Sequence, residues 1–181
     1  VVDCLKNGGI IAFPTDSTYG IGCDLYDKVS VDKLYQIKDR DRRSPFSFLC
    51  ADLSDLAKYA KVSNKGYKLM RHLTPGPYTF ILDATRLVPK IMRTKRYTVG
   101  IRVPDNTICN EVITGLGNPI ISTTAKDGDE FLADPWRLRE IYGEYLDLVV
   151  DGGPLLPGLT TIVDLTGPDY EILRHGKGDL V

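Results

Sequence analysis

The sequence predicts an α/β domain with flanking helices on one twisted sheet, partly parallel and partly antiparallel. Three observations carry this expectation. Short β-branched runs alternate with helical patterns along the chain. The C-terminal stretch keeps strands with no helix between them. No repeat, low-complexity tract or linker interrupts the 181 residues, so 1–181 reads as a single domain.

The elements follow in order. Residues 9–13 (GIIAF) are short, β-branched and stop at Pro14. Residues 46–50 (FSFLC) alternate, 78–82 (YTFIL) have strong β propensity, and 98–103 (TVGIRV) stop at Pro104. Residues 119–122 (PIIS) are brief, and 146–150 (LDLVV) run into Asp151-Gly152-Gly153. Residues 160–165 and 170–174 read as a closing hairpin.

Helical patterns fill the intervals. Residues 29–37 carry Val31, Leu34, Tyr35 and Ile37 on one side, with Ser30 a weak capping residue. Residues 54–59 follow a Ser54 cap, and 65–73 end before Thr74-Pro75-Gly76-Pro77. Residues 106–116 follow Asp105 and stop at Gly117. Asp134-Pro135 opens a helix through Tyr142, with proline at its first position.

Composition narrows the function classes. The net charge of −1 argues against a surface that is a nucleic-acid footprint throughout, and leaves room for a local basic patch. Cys4, Cys23, Cys50 and Cys109 form no C-x-x-C pair, and His72 and His175 lie far from them. The expectation is four reduced, mostly buried thiols and no metal site. No apolar run reaches the roughly 18 residues of a membrane span, and no signal peptide is visible, although the chain begins at Val1. A cytoplasmic protein that makes no membrane contact is expected.

Four segments have the residue types for chemistry. Pro14-Thr15-Asp16-Ser17-Thr18-Tyr19-Gly20 leaves the first strand with several side-chain oxygens and an aromatic ring, where α/β sheets build sites; a polar turn is the other reading. Lys38-Asp39-Arg40-Asp41-Arg42-Arg43-Ser44-Pro45 places four cations within six residues at a helix C-terminus, suited to phosphate or simply to solvent. Residues 90–102 hold Lys90, Arg93, Lys95, Arg96 and Tyr97. Arg102 differs, alternating with Ile101 and Val103 at a strand end. Ser122-Thr123-Thr124-Ala125-Lys126-Asp127-Gly128 puts hydroxyls and backbone N–H groups beyond another strand, either a phosphate cradle or a polar turn. No P-loop, G-x-G-x-x-G or G-x-S-x-G is present. Any catalysis would rest on positioning and charge neutralisation.

Taken in order, six segments resemble the YrdC/YciO family, which includes threonylcarbamoyl-AMP synthases. They are residues 8–20 (GGIIAFPTDSTYG), Lys38-x-Arg40 with Pro45 behind it, 74–80 (TPGPYTF), 100–104 (GIRVP), 119–125 (PIISTTA), and 160–165 (TTIVDL) followed by Arg174. The resemblance implies a YrdC-like fold with a basic concave surface. It also implies a nucleotidyltransferase that joins threonine, bicarbonate and ATP, with Mg2+ on the phosphates, and releases pyrophosphate. The product would serve a partner complex that modifies adenosine in tRNA.

By the same resemblance, Lys38 and Arg40 carry the catalytic charge and hold the triphosphate. Ser17, Tyr19, Arg102, Ser122 and Thr160 take threonine. Ser44, Thr124, Lys126 and Arg174 contribute to the nucleotide site. Thr124-x-Lys126 stands where the synthases usually show Ser-x-Asn, and Ser44 and Leu49 stand where Asn and His are common. These departures place the sequence nearer the YciO branch. The extra C-terminal domain of longer synthases is not expected, since the chain ends soon after Arg174. The alternative function is a non-catalytic protein of the same fold that binds nucleotide, tRNA or double-stranded RNA through its basic clusters.

Overall fold

A computed structural model describes residues 1–41, 44 and 46–179. In chain order it contains α1 (Val2–Lys6), β1 (Ile11–Pro14), β2 (Tyr19–Asp24), α2 (Lys28–Ile37), β3 (Ser47–Leu49), α3 (Leu53–Tyr59), β4 (Ala60–Lys61) and α4 (Asn64–Leu73). Then come β5 (Tyr78–Ala84), β6 (Thr98–Arg102), α5 (Thr107–Leu116), β7 (Ile120–Thr124), β8 (Lys126–Asp127), β9 (Glu130–Phe131) and α6 (Pro135–Tyr142). The chain closes with β10 (Leu148–Val149), β11 (Thr161–Asp164) and β12 (Glu171–Arg174).

The main sheet runs β10-β1-β2-β7-β3-β6-β5-β11-β12, with β4 paired to β5. Pairs β1–β10, β3–β6 and β5–β11 are parallel, and their neighbours in the order are antiparallel. The mixed sheet and the closing β11–β12 hairpin are therefore as the sequence predicts. Strand β2 and the small β8–β9 hairpin escape the pattern. β2 carries two glycines, which weaken a β signal but are required by packing. A Cβ on Gly22 would lie 1.9 Å from the Ile121 carbonyl oxygen, and one on Gly20 2.7 Å from Ser122 Oγ.

Three helix caps differ from the expected residues. Asp27, not Ser30, accepts the Ser30 N–H at the start of α2, Asp52 replaces Ser54 at α3, and Asn106 rather than Asp105 caps α5. In each case the acceptor stands outside the first helical turn in extended backbone, where its side chain reaches the free N–H groups. Asp134 caps α6 as expected, and Gly117 closes α5 at φ 77°.

Strand alternation divides the side chains between two faces. Ala12, Tyr19, Ile21, Cys23, Phe48, Phe80, Leu82, Val99, Ile101 and Ile121 form the main core with residues of α2, α3, α4 and α6. The opposite face is covered at one end only. There Ile11, Phe13, Leu49 and Ile120 pack against Leu5 of α1 and Cys109, Val112, Ile113 and Leu116 of α5. On the same face, farther along β3 and β7 and on β5 and β6, the positions are Ser47, Ser122, Thr124, Thr79, Gly100 and Arg102, and the sheet is left open. Burying a large apolar side chain is worth about 1.5–3 kcal/mol, so polar residues at these positions give up that stabilisation and leave room for a ligand. Among the described residues no helix is long and apolar enough to cross a membrane.

Candidate functional site

The open part of the sheet is the floor of a cavity of about 710 Å³, within the usual range for small-molecule sites. Ser17, Tyr19, Lys38, Arg40, Arg102, Ser122, Thr124, Lys126, Thr160 and Arg174 all border it. Ser44 does not; it is exposed, and its backbone carbonyl accepts from Arg40 Nε at 2.7 Å. Arg42, Arg43 and Pro45 of the basic loop lie outside the described residues.

The β1–β2 loop is fixed by its own hydroxyls. Thr15 Oγ1 donates to the Thr18 carbonyl at 2.6 Å and accepts the backbone N–H groups of Ser17 and Thr18. This is a side-chain turn of the kind that Thr favours. It presents Asp16 and Ser17 to Arg102. Arg102 Nη2 donates to Asp16 Oδ1 at 2.6 Å and to Ser17 Oγ at 3.2 Å, while Asp16 Oδ2 accepts the Asp105 N–H at 3.0 Å. The Arg102 and Asp16 side chains are only 9% and 7% exposed. Arg102 Nε is buried without a partner.

Across the floor, Arg174 donates to the Thr160 carbonyl and to Thr160 Oγ1, and the Thr160 and Thr79 hydroxyls lie 2.8 Å apart. Burial pulls the Arg174 guanidinium down from the ordinary arginine range, and the positive charge of Arg102 adds to the effect. For Arg102 burial acts downward and Asp16 partly opposes it. Both guanidiniums stay cationic at neutral pH. The two cations repel each other, and each is held within the protein, Arg102 by Asp16 and Arg174 by Thr160.

A second linked set contains Lys38. Its Nζ donates to Tyr142 Oη at 2.8 Å and to the Lys126 carbonyl at 3.3 Å, and Tyr142 Oη donates to the same carbonyl at 2.6 Å. The Lys126 ammonium itself sits over the Phe131 ring, 4.2 Å from its centre, and the Arg40 guanidinium lies 4.7 Å over Phe46.

Tyr19 borders the cavity but does not offer its ring as a flat face. Alternation along β2 turns its ring into the main core, where it is fully buried, rather than presenting a flat face to a ligand. Its hydroxyl accepts the Gly152 N–H and donates to the Gly153 carbonyl, both at 2.9 Å. Burial raises its pKa, while the Gly152 hydrogen bond acts downward. The tyrosine fastens residues 152–153 to β2. Leu49 lies beneath α5 in the smaller core and does not border the cavity.

Sequence reasoning did not single out Asp16, Tyr142 or Lys177. Lys177 Nζ donates to the carbonyls of Asp16 (3.1 Å), Ser17 (3.5 Å) and Leu156 (3.0 Å), tying the β1–β2 loop to the segment before β11. Asp16 had a signal, standing inside the first segment. Tyr142 and Lys177 meet their partners across more than 100 positions of chain for Lys38 and 160 or more for the loop, and no local pattern marks them. Among the described residues no three His, Cys, Asp or Glu side chains gather as a metal site would need.

Comparison with known proteins agrees with this fold. The family model for Sua5, YciO and YrdC, described as "Telomere recombination", matches residues 3–176. YciO of Escherichia coli strain K12 is 38% identical over 182 residues, covering 99% of this chain and 88% of YciO. Its crystal structure superposes with a TM-score of 0.93 at 36% identity, covering 98% of this chain and 88% of that one. A threonylcarbamoyl-AMP synthase of Coxiella burnetii is 28% identical over 158 residues, 86% of this chain and 84% of the synthase. The crystal structure of P. abyssi Sua5 complexed with L-threonine gives a TM-score of 0.90 at 26% identity, over 97% of this chain and 52% of Sua5.

Proposed function

This chain belongs to the Sua5/YciO/YrdC family, and from that premise we propose that its cavity binds ATP beside threonine and forms threonylcarbamoyl-AMP. The observation that carries the reading is the pairing, in one basin, of a phosphate-type set (Lys38, Arg40) with a carboxylate-type set (Arg102, Arg174 and the hydroxyls of Ser17, Ser122 and Thr160). Threonine and bicarbonate condense to a carbamate with loss of water. A carbamate oxygen then attacks the α-phosphorus of ATP. The new P–O bond forms as the bond to the β-phosphate bridge breaks, and the electron pair leaves on pyrophosphate. An anionic nucleophile approaching a polyanion needs cations to offset the repulsion, and Lys38 and Arg40 supply them. Arg102 and the hydroxyls hold the amino acid, and Thr124 and Lys126 border the nucleotide. Mg2+ would ride mainly on the phosphates, as its preference for water and phosphate oxygen dictates; Asp39 is the one carboxylate bordering the cavity among the described residues.

The relatives support the two substrates to different depths. Sua5 is described in complex with L-threonine, and the Coxiella relative is named a threonylcarbamoyl-AMP synthase. The more similar YciO carries no such description.

A second reading, binding of nucleotide or RNA without this chemistry, has two observations in its favour. Residues 58–102 hold eleven Lys and Arg against a single acid, Asp83, in a chain of net charge −1. Within that stretch Tyr97 is 67% exposed, with the Arg93 guanidinium 6.0 Å from its ring centre. An exposed ring beside cations suits base stacking.

Pyrophosphate release with ATP, Mg2+ and bicarbonate, with and without threonine, separates the two. Release that requires both threonine and bicarbonate supports synthesis and the delivery of a product to tRNA modification. Absence of release, with RNA affinity that falls steeply with salt, selects the binding role.

A further inference from the structure

We propose that Tyr142 is a positioning residue of the phosphate subsite, acting on bound nucleotide through Lys38. The inference rests on the nucleotide reading of the cavity. Tyr142 stands on the last turn of α6, a helix fixed at its start by the Asp134 cap and in its middle by Leu138, which is fully buried. The phenol is therefore delivered by a rigid element. Its oxygen has two partners in a closed triangle: it accepts from Lys38 Nζ at 2.8 Å and donates to the Lys126 carbonyl at 2.6 Å, which also receives Lys38 Nζ at 3.3 Å. The Lys38 ammonium also lies 4.9 Å from the Tyr142 ring centre. Both residues border the cavity.

An ammonium has three N–H donors. The triangle engages two of them and leaves one for a ligand. A lysine on a flexible stem would otherwise lose rotamer freedom when phosphate binds, which weakens binding. Lys38 follows directly after α2, where its backbone N–H donates to the Leu34 carbonyl at 3.1 Å and the next N–H, of Asp39, to the Gln36 carbonyl at 3.1 Å, so its stem is anchored at one end by α2 and its ammonium at the other by α6. The triangle also joins α6 to β8, the strand of Lys126. Tyr142 is a neutral partner, so it orients the ammonium without cancelling the charge that a phosphate would meet. The carboxylate-type set is tied instead through Asp16, Ser17 and Thr160. A change at Tyr142 should reach the nucleotide and leave the amino acid alone.

Tyr142→Phe keeps the ring and removes only the hydroxyl. The test is a double-mutant cycle with Lys38→Met, read by calorimetric titration of Mg·ATP and separately of threonine, together with competitive acetylation of Lys38 measured by mass spectrometry. Tyr142→Phe should weaken ATP binding about three- to tenfold, leave threonine affinity unchanged, and have no further effect in the Lys38→Met background. Lys38 should acetylate faster in Tyr142→Phe than in the unaltered protein. Equal or tighter ATP binding by Tyr142→Phe, or the same loss in both backgrounds, would overturn the proposal. An unaltered protein that binds no ATP would sink the nucleotide reading itself, and this inference with it. Unchanged Lys38 acetylation in Tyr142→Phe would overturn the inference while leaving that reading standing.

Discussion

Asp16 Oδ1 lies 2.6 Å from Arg102 Nη2, so the arginine on the cavity floor is paired within the protein and both side chains are more than 90% buried. Removing one partner of such a pair strands a buried charge, which costs about 3–5 kcal/mol, whereas replacing both with apolar groups is often near neutral. Asp16→Ala should therefore destabilise the fold by about that amount in urea denaturation. Asp16→Ala combined with Arg102→Met should recover most of the loss. A double variant as unstable as the single one would show that the loop, and not the ion pair, is what the aspartate supports.

Arg40 borders the cavity with its guanidinium over Phe46 and its Nε on the Ser44 carbonyl. A charge-assisted contact between its guanidinium and phosphate is worth about 1.5–3 kcal/mol. Arg40→Ala should weaken ATP binding by an order of magnitude or more in equilibrium titration. Unchanged affinity would remove Arg40 from the nucleotide site.

Lys126 stands where the family's synthases usually carry Asn, and its ammonium is stacked on Phe131. Lys126→Asn retains the backbone carbonyl that Lys38 and Tyr142 share and supplies an amide able both to donate and to accept. Threonine-dependent pyrophosphate release should rise in this variant. A fall would identify Lys126 as a working phosphate ligand.

Burial raises the pKa of the thiols, pushing Cys109 up to about 12 from 9.0 and moving Cys23 and Cys50 farther in the same direction. These groups fold as neutral thiols. A folded pKa above the unfolded one gives stability that is complete below the unfolded value and is lost as pH rises toward the folded one. Melting temperature should thus be insensitive to thiol ionisation through pH 8 and fall from about pH 9 upward. Cys23, Cys50 and Cys109 should resist thiol reagents at pH 8, because the thiolate is the reactive form. Rapid modification of all four thiols in the native protein would contradict the buried assignment.

The amino-acid sequence was enough to read the alternating elements, the closing hairpin, the proline-opened helix at Asp134 and the segments that border the cavity. These follow from local causes: β-branched runs, helical spacing of apolar residues, and turns at Pro and Gly. The sequence also marked Lys38, Arg40, Arg102 and Ser122 as unusual, because charged and hydroxyl side chains stand at strand or helix ends. Strand β2 was not legible, since its glycines answer to the close approach of β7 and not to β propensity.

Tertiary structure alone decided which face each strand residue serves and who partners whom. It sent the Tyr19 ring into the core, left Ser44 outside the cavity, placed Leu49 under α5, paired Arg102 with Asp16, and brought Tyr142 to Lys38 across 104 positions. The physical reason is range. Backbone preference and side-chain spacing act over a few residues, whereas the partners of a buried charge are chosen by sheet order, and a one-residue change of strand register would exchange floor for core.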